Sequence, residues 1–515
     1  MNKGIMINID DTHFMQSRFI KNIDVDREEL ETFVSQYRHT HVTDLVFCAA
    51  GRIMCYPSEV SDSYIDKYLQ KQENGRAVDY SRTFARISYD MFVNKGLDAY
   101  EIWLNECRKW GIRGWLSLRM NDCHDNNLPA SVLHPDFYHE HPEYRRVTHR
   151  APSDYFDGCL DYAQEAVRER ELKIIDELLT RYDPDGIELD WQREAFCFGI
   201  GGEYEGIEIL NDFMREVVVR VRRAEEMRGH RILVGVRLPA DPQDALDMGF
   251  DAATWAQEGL VQVVVPAPRW RTCDSDIPVG MWKRLLRGSG AKLAPGIELL
   301  FQPGRCRRMY ASVEQVTALA HQHFALGGDM TYLFNYFDDP TPEDSYWSRS
   351  DAAHENMAVK QANQEKLLCI LGDPDLTAVQ ERRHVITERD LRPAWRTGGE
   401  VLPFTCRRVG RYKQVRVAVG SIPTEAEAQV TLGLSEGAPE DVVLYVNQRR
   451  AALVGTTDRI RLHFEGGAYT FRIPNDGRLP PYLMLEVGTS GQPFTVEYID
   501  VHIPKASLME QCCQL

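Results

Sequence analysis

The sequence predicts a (β/α)8 barrel of the TIM type over residues 1–375, followed by a C-terminal β-sandwich over residues 385–515. In the first part, eight short β-branched runs alternate with longer amphipathic stretches, a pattern typical of parallel strands that close into a barrel. Near residue 400 the pattern changes to short alternating runs separated by Gly, Pro, Asn and Asp, which indicates antiparallel sheets. The length of 515 residues suits a barrel with one smaller domain.

Each predicted barrel strand is a short apolar run bounded by polar or turn-forming residues. The eight are Met6–Asp10, Asp44–Ala50, Gly114–Asn121, Gly186–Gln192, Ile232–Pro239, Val261–Pro266, Ala294–Phe301 and Met330–Tyr336. Helices with a 3.6-residue apolar period lie between them, among them Ala99–Trp110, Val167–Arg181, Ile209–Arg228, Val279–Leu286 and Val313–Ala325. An insertion at 122–160, rich in His, Pro and Tyr, follows the third strand, and we expect it to cover a site.

The C-terminal strands are expected to be short and antiparallel. They are Gln414–Val419, Ala428–Leu434, Val442–Val446, Arg459–Phe464, Thr470–Ile473, Tyr482–Val487 and Thr495–Ile503, after a change of pattern at Glu381–Arg396. Two roles fit such a domain, a scaffold packed on the barrel or a carbohydrate-binding module. We favour the scaffold, because fold alone does not specify function.

Composition excludes several classes of protein. Hydrophobic residues make up 43% and charged residues 27%, as in ordinary globular chains rather than disordered or collagen-like ones. Sixty Lys and Arg against 77 Asp and Glu give a net charge of −17, which argues against nucleic acid as a partner. A few local arginines can nevertheless bind a small anion.

Cysteine usage and hydropathy bear on the compartment. The twelve cysteines are scattered, with only Cys512 and Cys513 adjacent, so we expect neither a disulfide framework nor a zinc ribbon. The N-terminal apolar run ends at Ile9, too early for a signal peptide, and no stretch reaches the roughly 18 apolar residues of a membrane span. We expect a protein without a membrane partner, cytoplasmic or secreted without a recognisable signal. A homodimer is compatible with the sequence.

Barrel active sites form at the C-terminal ends of the strands, so inward polar residues there are candidates. In the third strand, alternation places Ser117, Arg119 and Asn121 inside the barrel. A buried arginine requires an anionic partner. For Arg119 this is either a ligand or an ion pair with a neighbour such as Glu188.

The fourth strand places Glu188, Asp190 and Gln192 on one face. Two interior carboxylates either organise cations or perform acid–base chemistry. The segment resembles the Asp-x-x-Asp-x-Asp-x-Glu signature of family 18 glycosidases, but Gln192 replaces the family's acid, which argues against a chitinase. Arg193, just beyond the strand, is a second candidate anion ligand or a surface arginine.

The first strand ends in two adjacent aspartates, Asp10 and Asp11. Alternation puts Asp10 on the inward set with Asn8, so Asp10 is the better site candidate and Asp11 the second choice. Either could instead cap a helix that begins near Thr12, a role that we consider better suited to Asp11.

His124 follows the third strand by a few residues and is flanked by Asp122 and Asp125. A carboxylate can orient an imidazole for acid–base work. Zinc is the rival interpretation, but it needs three clustered ligands, and the pairs His39/His41, His139/His141 and His321/His323 do not follow predicted strands. We therefore expect neither a metal nor another cofactor.

Four arginines approach the predicted mouth of the barrel, namely Arg119, Arg193, Arg237 and Arg269. This clustering in an acidic chain indicates a negatively charged substrate, and a guanidinium matches a carboxylate geometrically. The seventh strand adds Glu298 and the eighth adds Asn335.

Taken together, the strand-one Asp, the segment Arg119-Met-Asn-Asp-Cys-His124, Arg193 and Asn335 resemble glycoside hydrolase family 156 along nearly the whole chain. That resemblance implies a barrel with a β-rich C-terminal domain and an inverting exo-sialidase (neuraminidase) activity on sialylated glycans. It implies a catalytic pair of Asp10 (or Asp11) with His124. It places the substrate carboxylate on Arg119 and Arg193, with Asn335 as a further contact.

The same residues suit sialoside hydrolysis even without the family resemblance. A sialoside carries its carboxylate on the anomeric carbon, so arginines could hold the anion while an Asp and a His move protons. Asp as base with His as acid and the opposite assignment both fit. Trp191, Trp270, Tyr336 and Phe337 could face sugar rings or pack in the core, and packing is favoured for Trp191.

Two other functions remain open from the sequence. A neutral-sugar glycosidase would use Asp190 or Glu188 with Glu298 as its carboxylate pair. A non-catalytic carbohydrate-binding barrel would bind sugar without turnover. We also expect Asn121, Glu188, Asp190 and Arg237 to contribute to substrate binding.

Overall fold

The computed structural model describes residues 2–73, 81–126, 128, 131, 133–269, 272, 276–303, 309–336, 367–387, 401–457, 466–477 and 479–505. Its first part is the predicted barrel. The barrel strands are β1 (Ile5–Ile9), β2 (Val42–Ala50), β3 (Arg113–Arg119), β4 (Gly186–Asp190), β5 (Leu233–Pro239), β6 (Val263–Ala267), β7 (Lys292–Leu293) and β8 (Gly296–Glu298). A short antiparallel ribbon, β9 (Leu300–Phe301) with β10 (Met309–Tyr310), precedes the last barrel strand, β11 (Thr331–Phe334).

The barrel sheet has the order β7-β6-β5-β4-β3-β2-β1-β11-β8, and its pairs are parallel. β7 and β8 form one strand interrupted at Pro295, which has no N–H to donate; β7 precedes the predicted range Ala294–Phe301, and β8 lies within it. β7 pairs with β6 and β8 pairs with β11, so the sheet closes through this interrupted strand. The barrel prediction is therefore confirmed.

Helices surround the sheet. They are α1 (Asp11–Ile20), α2 (Arg27–Ser35), α3 (Tyr64–Glu73), α4 (Ser81–Tyr89), α5 (Ala99–Lys109), α6 (Asp136–Glu140), α7 (Glu165–Arg181), α8 (Gly206–Arg228), α9 (Pro242–Asp247), α10 (Ala252–Gln257), α11 (Val279–Leu285), α12 (Val313–Ala325) and α13 (Pro374–Ala378). Single turns of other helix types lie at Asp90–Asn94, Pro142–Tyr144, Tyr155–Gly158 and Pro439–Asp441. Across the described residues we find no helix with the length and apolar character that a membrane crossing needs.

Alternating strand residues belong to two separate cores. Ile5 and Leu116 pack in the large layer between sheet and helices, whereas Met6 and Trp115 belong to the cluster that fills the barrel. Gly186 makes room for that filling, because a Cβ there would lie 2.3 Å from the Trp115 ring. The strand period therefore decides which side chains can reach the inside of the barrel.

The C-terminal part is the predicted two-sheet sandwich. Its strands are β12 (Arg382–Val385), β13 (Phe404–Cys406), β14 (Tyr412–Ala418), β15 (Gln429–Glu436), β16 (Val442–Val446), β17 (Arg449–Arg450), β18 (Ala452–Thr456), β19 (Gly467–Arg472), β20 (Tyr482–Thr489) and β21 (Phe494–Ile503). One sheet has the order β12-β21-β15-β19-β18, with β13 also on β21, and the other has the order β14-β20-β16-β17. An apolar cluster that includes Val430, Leu432 and Leu485 forms the sandwich core.

Four of these strands were not expected from the sequence. β12 consists mainly of Arg and His, β13 and β17 are very short, and β18 is largely exposed, so none has a clear apolar alternation. The predicted strand Arg459–Phe464 lies outside the described residues. β12 already pairs with β21, so the sandwich sheet begins at Arg382. The domain limits of 375 and 385 stay predictions.

A buried polar cluster joins α12 of the barrel to the sandwich. His321 Nε2 lies 2.9 Å from Ser421 Oγ, and His384 Nδ1 lies 3.1 Å from Gln322 Oε1. Arg382 is fully buried and donates to the backbone carbonyl of Ser421 at 2.6 Å.

This cluster makes stability depend on pH. Burial lowers the pKa of His321 and of His323 to about 3, with Arg382 a further cause for His321. Burial and Arg382 also hold the pKa of His384 well below its ordinary value. Below pH ~6.5 the unfolded chain gains protons at these residues and the folded chain does not. Their contribution therefore lowers the free energy of unfolding as pH falls, by up to about 1.4 kcal/mol per pH unit and histidine.

We expect His323→Leu to weaken this pH dependence. Between pH 7 and pH 5 the variant should lose up to about 2 kcal/mol less than the wild type in urea unfolding, since one proton uptake is removed. His149→Leu, at an exposed position, is the control and should keep the wild-type difference. An identical pH difference in His323→Leu and the wild type would contradict this assignment.

Candidate active site

Two strands bring the first candidate residues together at the C-terminal end of the barrel. Asp10 directly follows β1, and Arg119 is the last residue of β3. Arg119 NH2 donates to Asp10 Oδ2 at 3.1 Å. Burial alone would raise the pKa of Asp10, but Arg119 and the Thr12 hydroxyl outweigh it and hold that pKa well below its ordinary value. Asp10 is therefore a permanently ionised carboxylate.

Asp10 also begins α1, because its Oδ1 accepts the backbone N–H of Thr12 at 3.1 Å. The cap is therefore Asp10, and our assignment of this role to Asp11 was wrong. Asp11 is fully buried and accepts a hydrogen bond from the Tyr100 hydroxyl at 2.6 Å. Burial raises the pKa of Asp11 well above its ordinary value. The two aspartates thus have pKa values shifted in opposite directions and lie in different surroundings.

His124 is held by an acidic and a basic neighbour. Asp122 Oδ1 accepts the backbone N–H of His124 at 3.0 Å and also contacts its Nδ1. Arg193 NH2 lies 2.7 Å from Nε2. A guanidinium can only donate, so Nε2 accepts and Nδ1 carries the proton, which defines a neutral imidazole. Asp125, the other flanking carboxylate, instead accepts from Ser131 Oγ.

These pairs form one connected chain across the mouth of the barrel. Arg119 NH1 lies 3.9 Å from Asp122 Oδ2, so Asp10 is linked to His124 through Arg119 and Asp122. Burial alone would raise the pKa of Asp122, but His124 and Arg119 hold it well below its ordinary value. The sequence prediction that Asp10, Arg119, His124 and Arg193 share one site thus matches their placement, while their roles stay predictions.

The insertion at 122–160 is fixed to the barrel by Arg52, which the sequence analysis did not single out. Its guanidinium donates to the backbone carbonyls of Asp122, His124 and Gly158 at 2.8, 3.3 and 3.4 Å. The guanidinium also lies 4.3 Å from the centre of the Tyr138 ring. Arg52 therefore sets the position of the segment that carries His124.

Arg193 has unused hydrogen-bonding capacity. Its backbone N–H donates to Asp190 Oδ1 at 3.1 Å, which fixes the turn after β4. Its side-chain Nε is buried and has no hydrogen-bond partner in the part of the chain that the structure describes. A donor of this kind beside a histidine is suited to an anionic ligand.

The strand-four carboxylates are satisfied inside the barrel. Glu188 accepts hydrogen bonds from Asn8, Ser117 and Tyr332, all within 2.9 Å, so the ion pair considered between Arg119 and Glu188 is not formed. Burial and the neighbouring Asp190 raise the pKa of Glu188 to about 7. These contacts favour an internal structural role for Glu188, and its contact with substrate stays a prediction.

Asp190 forms a buried pair with Arg237. Arg237 NH1 donates to both oxygens of Asp190 at 2.9 and 3.0 Å, and each side chain is 1% exposed. The guanidinium also lies 3.7 Å from the centre of the Phe334 ring. Arg237 thus supports Asp190, which in turn fixes the backbone of Arg193, and no observation tests its predicted contact with substrate.

Two predicted contacts with substrate involve amides that are already engaged. Asn121 Nδ2 donates to the carbonyls of Leu160 and Phe196, and its Oδ1 accepts from Leu160 N. Asn335 Nδ2 donates to both oxygens of Glu298 at 2.8 and 2.9 Å. Burial raises the pKa of Glu298 to about 8. Asn121 therefore anchors the insertion, and Asn335 holds Glu298.

The aromatic candidates divide into two groups. Trp191 is fully buried against Tyr162, Phe213 and Phe250, so the packing interpretation is correct for it. Tyr336 is buried near Tyr37. Trp270 and Phe337 lie outside the described residues. Among the residues that are described, no group of three or more His, Cys, Asp or Glu is arranged to hold a metal ion.

No family profile matches the chain, and no curated protein matches its sequence. Among solved structures, catalytic domain 2 of a group II chitinase from Ostrinia furnacalis matches at 11% identity and TM-score 0.36, over 72% of this chain and 99% of that one. The glycoside hydrolase domain of PgaB (BpsB) from Bordetella bronchiseptica matches at 12% and 0.39, over 70% and 99%. A family 18 N-acetylglucosaminidase from Paenibacillus barengoltzii matches at 12% and 0.29, over 58% and 68%. Likeness at this level establishes neither a shared family nor a shared activity.

Proposed function

We propose that the protein is a glycoside hydrolase, an exo-sialidase that releases terminal sialic acid from glycoconjugates with inversion of configuration. The observation that carries this proposal is the contact between Arg193 and His124 beside an Asp122-oriented imidazole. Arg193 lies next to an acid–base residue, and its buried Nε has no partner among the described residues, which suits a substrate whose carboxylate lies at its reacting carbon. The resemblance to glycoside hydrolase family 156 points to the same substrate class.

In the proposed reaction Asp10 is the general base. Its low pKa keeps it ionised, and Arg119 fixes one of its oxygens. A water molecule bound to Asp10 attacks the anomeric carbon on the face opposite the leaving group, which inverts the configuration. Asp11, whose pKa is raised by burial and whose carboxylate accepts from Tyr100, is the weaker candidate for this role.

His124 is the proposed general acid. In the free enzyme its Nε2 accepts a hydrogen bond from Arg193, so the imidazole is neutral. When the substrate carboxylate binds Arg193, the guanidinium turns toward the anion, and Nε2 becomes free to take a proton from solvent water. Asp122, on Nδ1, stabilises the resulting imidazolium, which then protonates the leaving oxygen. Arg193 thereby couples binding of the substrate carboxylate to protonation of the general acid His124.

The test compares an aryl sialoside with neutral aryl glycosides and follows the anomer of the released sugar by NMR. We expect turnover of the sialoside only, with the inverted anomer formed first. Turnover of a neutral glycoside that depends on Glu298 would favour the two-carboxylate glycosidase. Binding of sialosides without turnover would favour a carbohydrate-binding barrel.

We expect Arg193→Ala to lower kcat/KM on the sialoside about ten- to a hundredfold, since one charge-assisted contact contributes roughly 1.5–3 kcal/mol. Arg119→Ala should lose activity to a similar extent, because it releases Asp10 and also removes one of the two arginines proposed to bind the substrate carboxylate. Arg215→Ala, which removes an arginine that is paired with Glu258 on the surface, is the control and should retain wild-type rates. Near wild-type rates in both Arg193→Ala and Arg119→Ala would show that the substrate carboxylate binds elsewhere.

A further inference from the structure

The four residues after β4 contain an unusual density of unsatisfied polar atoms. Within the described chain, four buried atoms lack hydrogen-bond partners, Trp191 Nε1, Gln192 Oε1, Arg193 Nε and Glu194 Oε2. Buried polar atoms are normally paired, because leaving one unpaired costs about 1–3 kcal/mol. Trp191 belongs to the layer of helices, whereas Arg193 contacts His124 and Glu194 is the next residue along the chain. Their unpaired atoms are the ones that a ligand in the site can satisfy.

Glu194 is held firmly by one oxygen only. Its side chain is 0% exposed, and Oε1 lies 3.3 Å from Arg269 NH2. Arg269 Nε in turn donates to the backbone carbonyl of Arg193 at 3.3 Å. Glu194 directly follows Arg193, whose guanidinium contacts His124, so its carboxyl group lies next to the site. The Arg269 contacts therefore fix Oε1, and Oε2 remains as a fixed acceptor.

We propose that Glu194 determines substrate specificity, with Oε2 accepting a hydrogen bond from a hydroxyl or amide N–H of the sugar next to the carboxylate bound by Arg193; this rests on the proposed function. Sialic acids carry such hydroxyl and amide donors close to their own carboxylate. Burial raises the pKa of the Glu194 carboxyl group, whereas a hydrogen-bond donor on the substrate favours its ionised form. Substrate binding therefore supplies a partner for Oε2. A sugar without the donor would leave Oε2 unpaired and be rejected.

The experiment uses nitrophenyl sialosides in which each donor is replaced in turn by hydrogen, the N-acetylamino group and each hydroxyl separately. We expect one analogue to lose about ten- to a hundredfold in kcat/KM with the wild type. Glu194→Gln should show a similar loss on the parent sialoside and no further loss on that analogue. Glu203→Gln, at a buried glutamate near Arg146, is the matched control and should discriminate between the substrates as the wild type does.

The possible outcomes separate this inference from the proposed function. If the wild type cleaves the parent sialoside but every donor deletion affects it and Glu194→Gln equally, the specificity role is wrong and the sialidase proposal stands. If the wild type does not act on the parent, both are wrong. Should Glu194→Gln fail to fold by its melting temperature, Glu194→Asp gives the same comparison, since it keeps the charge and withdraws the oxygen by one methylene.

Discussion

Replacing His124 with alanine is expected to lower kcat on a sialosyl-lactose by about 10²–10⁴-fold, the usual contribution of a positioned acid–base residue. The same variant should retain much more of its rate on a sialoside with a nitrophenolate leaving group, which departs without a proton. In the proposed mechanism the difference arises because His124 protonates the leaving oxygen and takes no part in activating water. Comparing kcat on the two substrates measures the effect.

The insertion offers a matched control for this variant. His141 Nδ1 lies 3.0 Å from Glu143 Oε1, so it is also a histidine paired with a carboxylate two residues along the chain, but at the surface. His141→Ala should keep wild-type rates on both substrates. If His124→Ala keeps wild-type rates while Glu188→Gln or Glu298→Gln is inactive, the assignment of the Asp/His pair is wrong and the two-carboxylate glycosidase is favoured.

Asp10→Asn should lose activity on both substrates to the same extent, because the attacking water would have no general base. Because the pKa of Asp10 lies well below its ordinary value, Asp10 stays ionised at every pH of the assay, so Asp10→Asn should lower kcat without removing a limb of the pH–rate profile. Because Asp10 also caps α1, its variant needs a check of the melting temperature; Asn retains the capping oxygen. Full activity of Asp10→Asn together with an inactive Asp11→Asn would transfer the base to Asp11.

Strand period and chain position were enough to predict the barrel and much of the mouth. Alternation correctly placed Asn8, Ser117 and Arg119 on the inner face, because a strand has only two faces and one of them must bury the apolar set. The same argument put Asp10 at the end of β1. These are local properties of the chain, so a single sequence contains them.

The partners of these residues could not be predicted in the same way. Arg119 binds Asp10 from 109 positions away, and Asn8 reaches Glu188 from 180 positions away. Which inward side chains meet depends on how the barrel strands are staggered, and several arrangements satisfy the same alternation. The contribution of Arg52 was also hidden, because it bonds to backbone carbonyls that have no signature in the sequence.

Replacing Arg237 with methionine is expected to destabilise the protein by about 3–5 kcal/mol, because it leaves the Asp190 carboxylate buried without its cation. Urea unfolding of the variant measures the loss. Asp190→Asn in the same chain should recover much of it, since the amide is neutral and its oxygen still accepts the N–H groups of Gln192 and Arg193.

The surface pair of Arg215 and Glu258 supplies the comparison for this expected loss. Arg215→Met should cost at most about 1 kcal/mol, because solvent screens an exposed ion pair. A similarly small loss in Arg237→Met would show that Asp190 is protonated or solvated, and that the pair does not fix the turn that carries Arg193. A large loss with recovery in the double variant would show that the charge of Arg237 is what stabilises Asp190, the carboxylate that accepts the backbone N–H groups of Gln192 and Arg193.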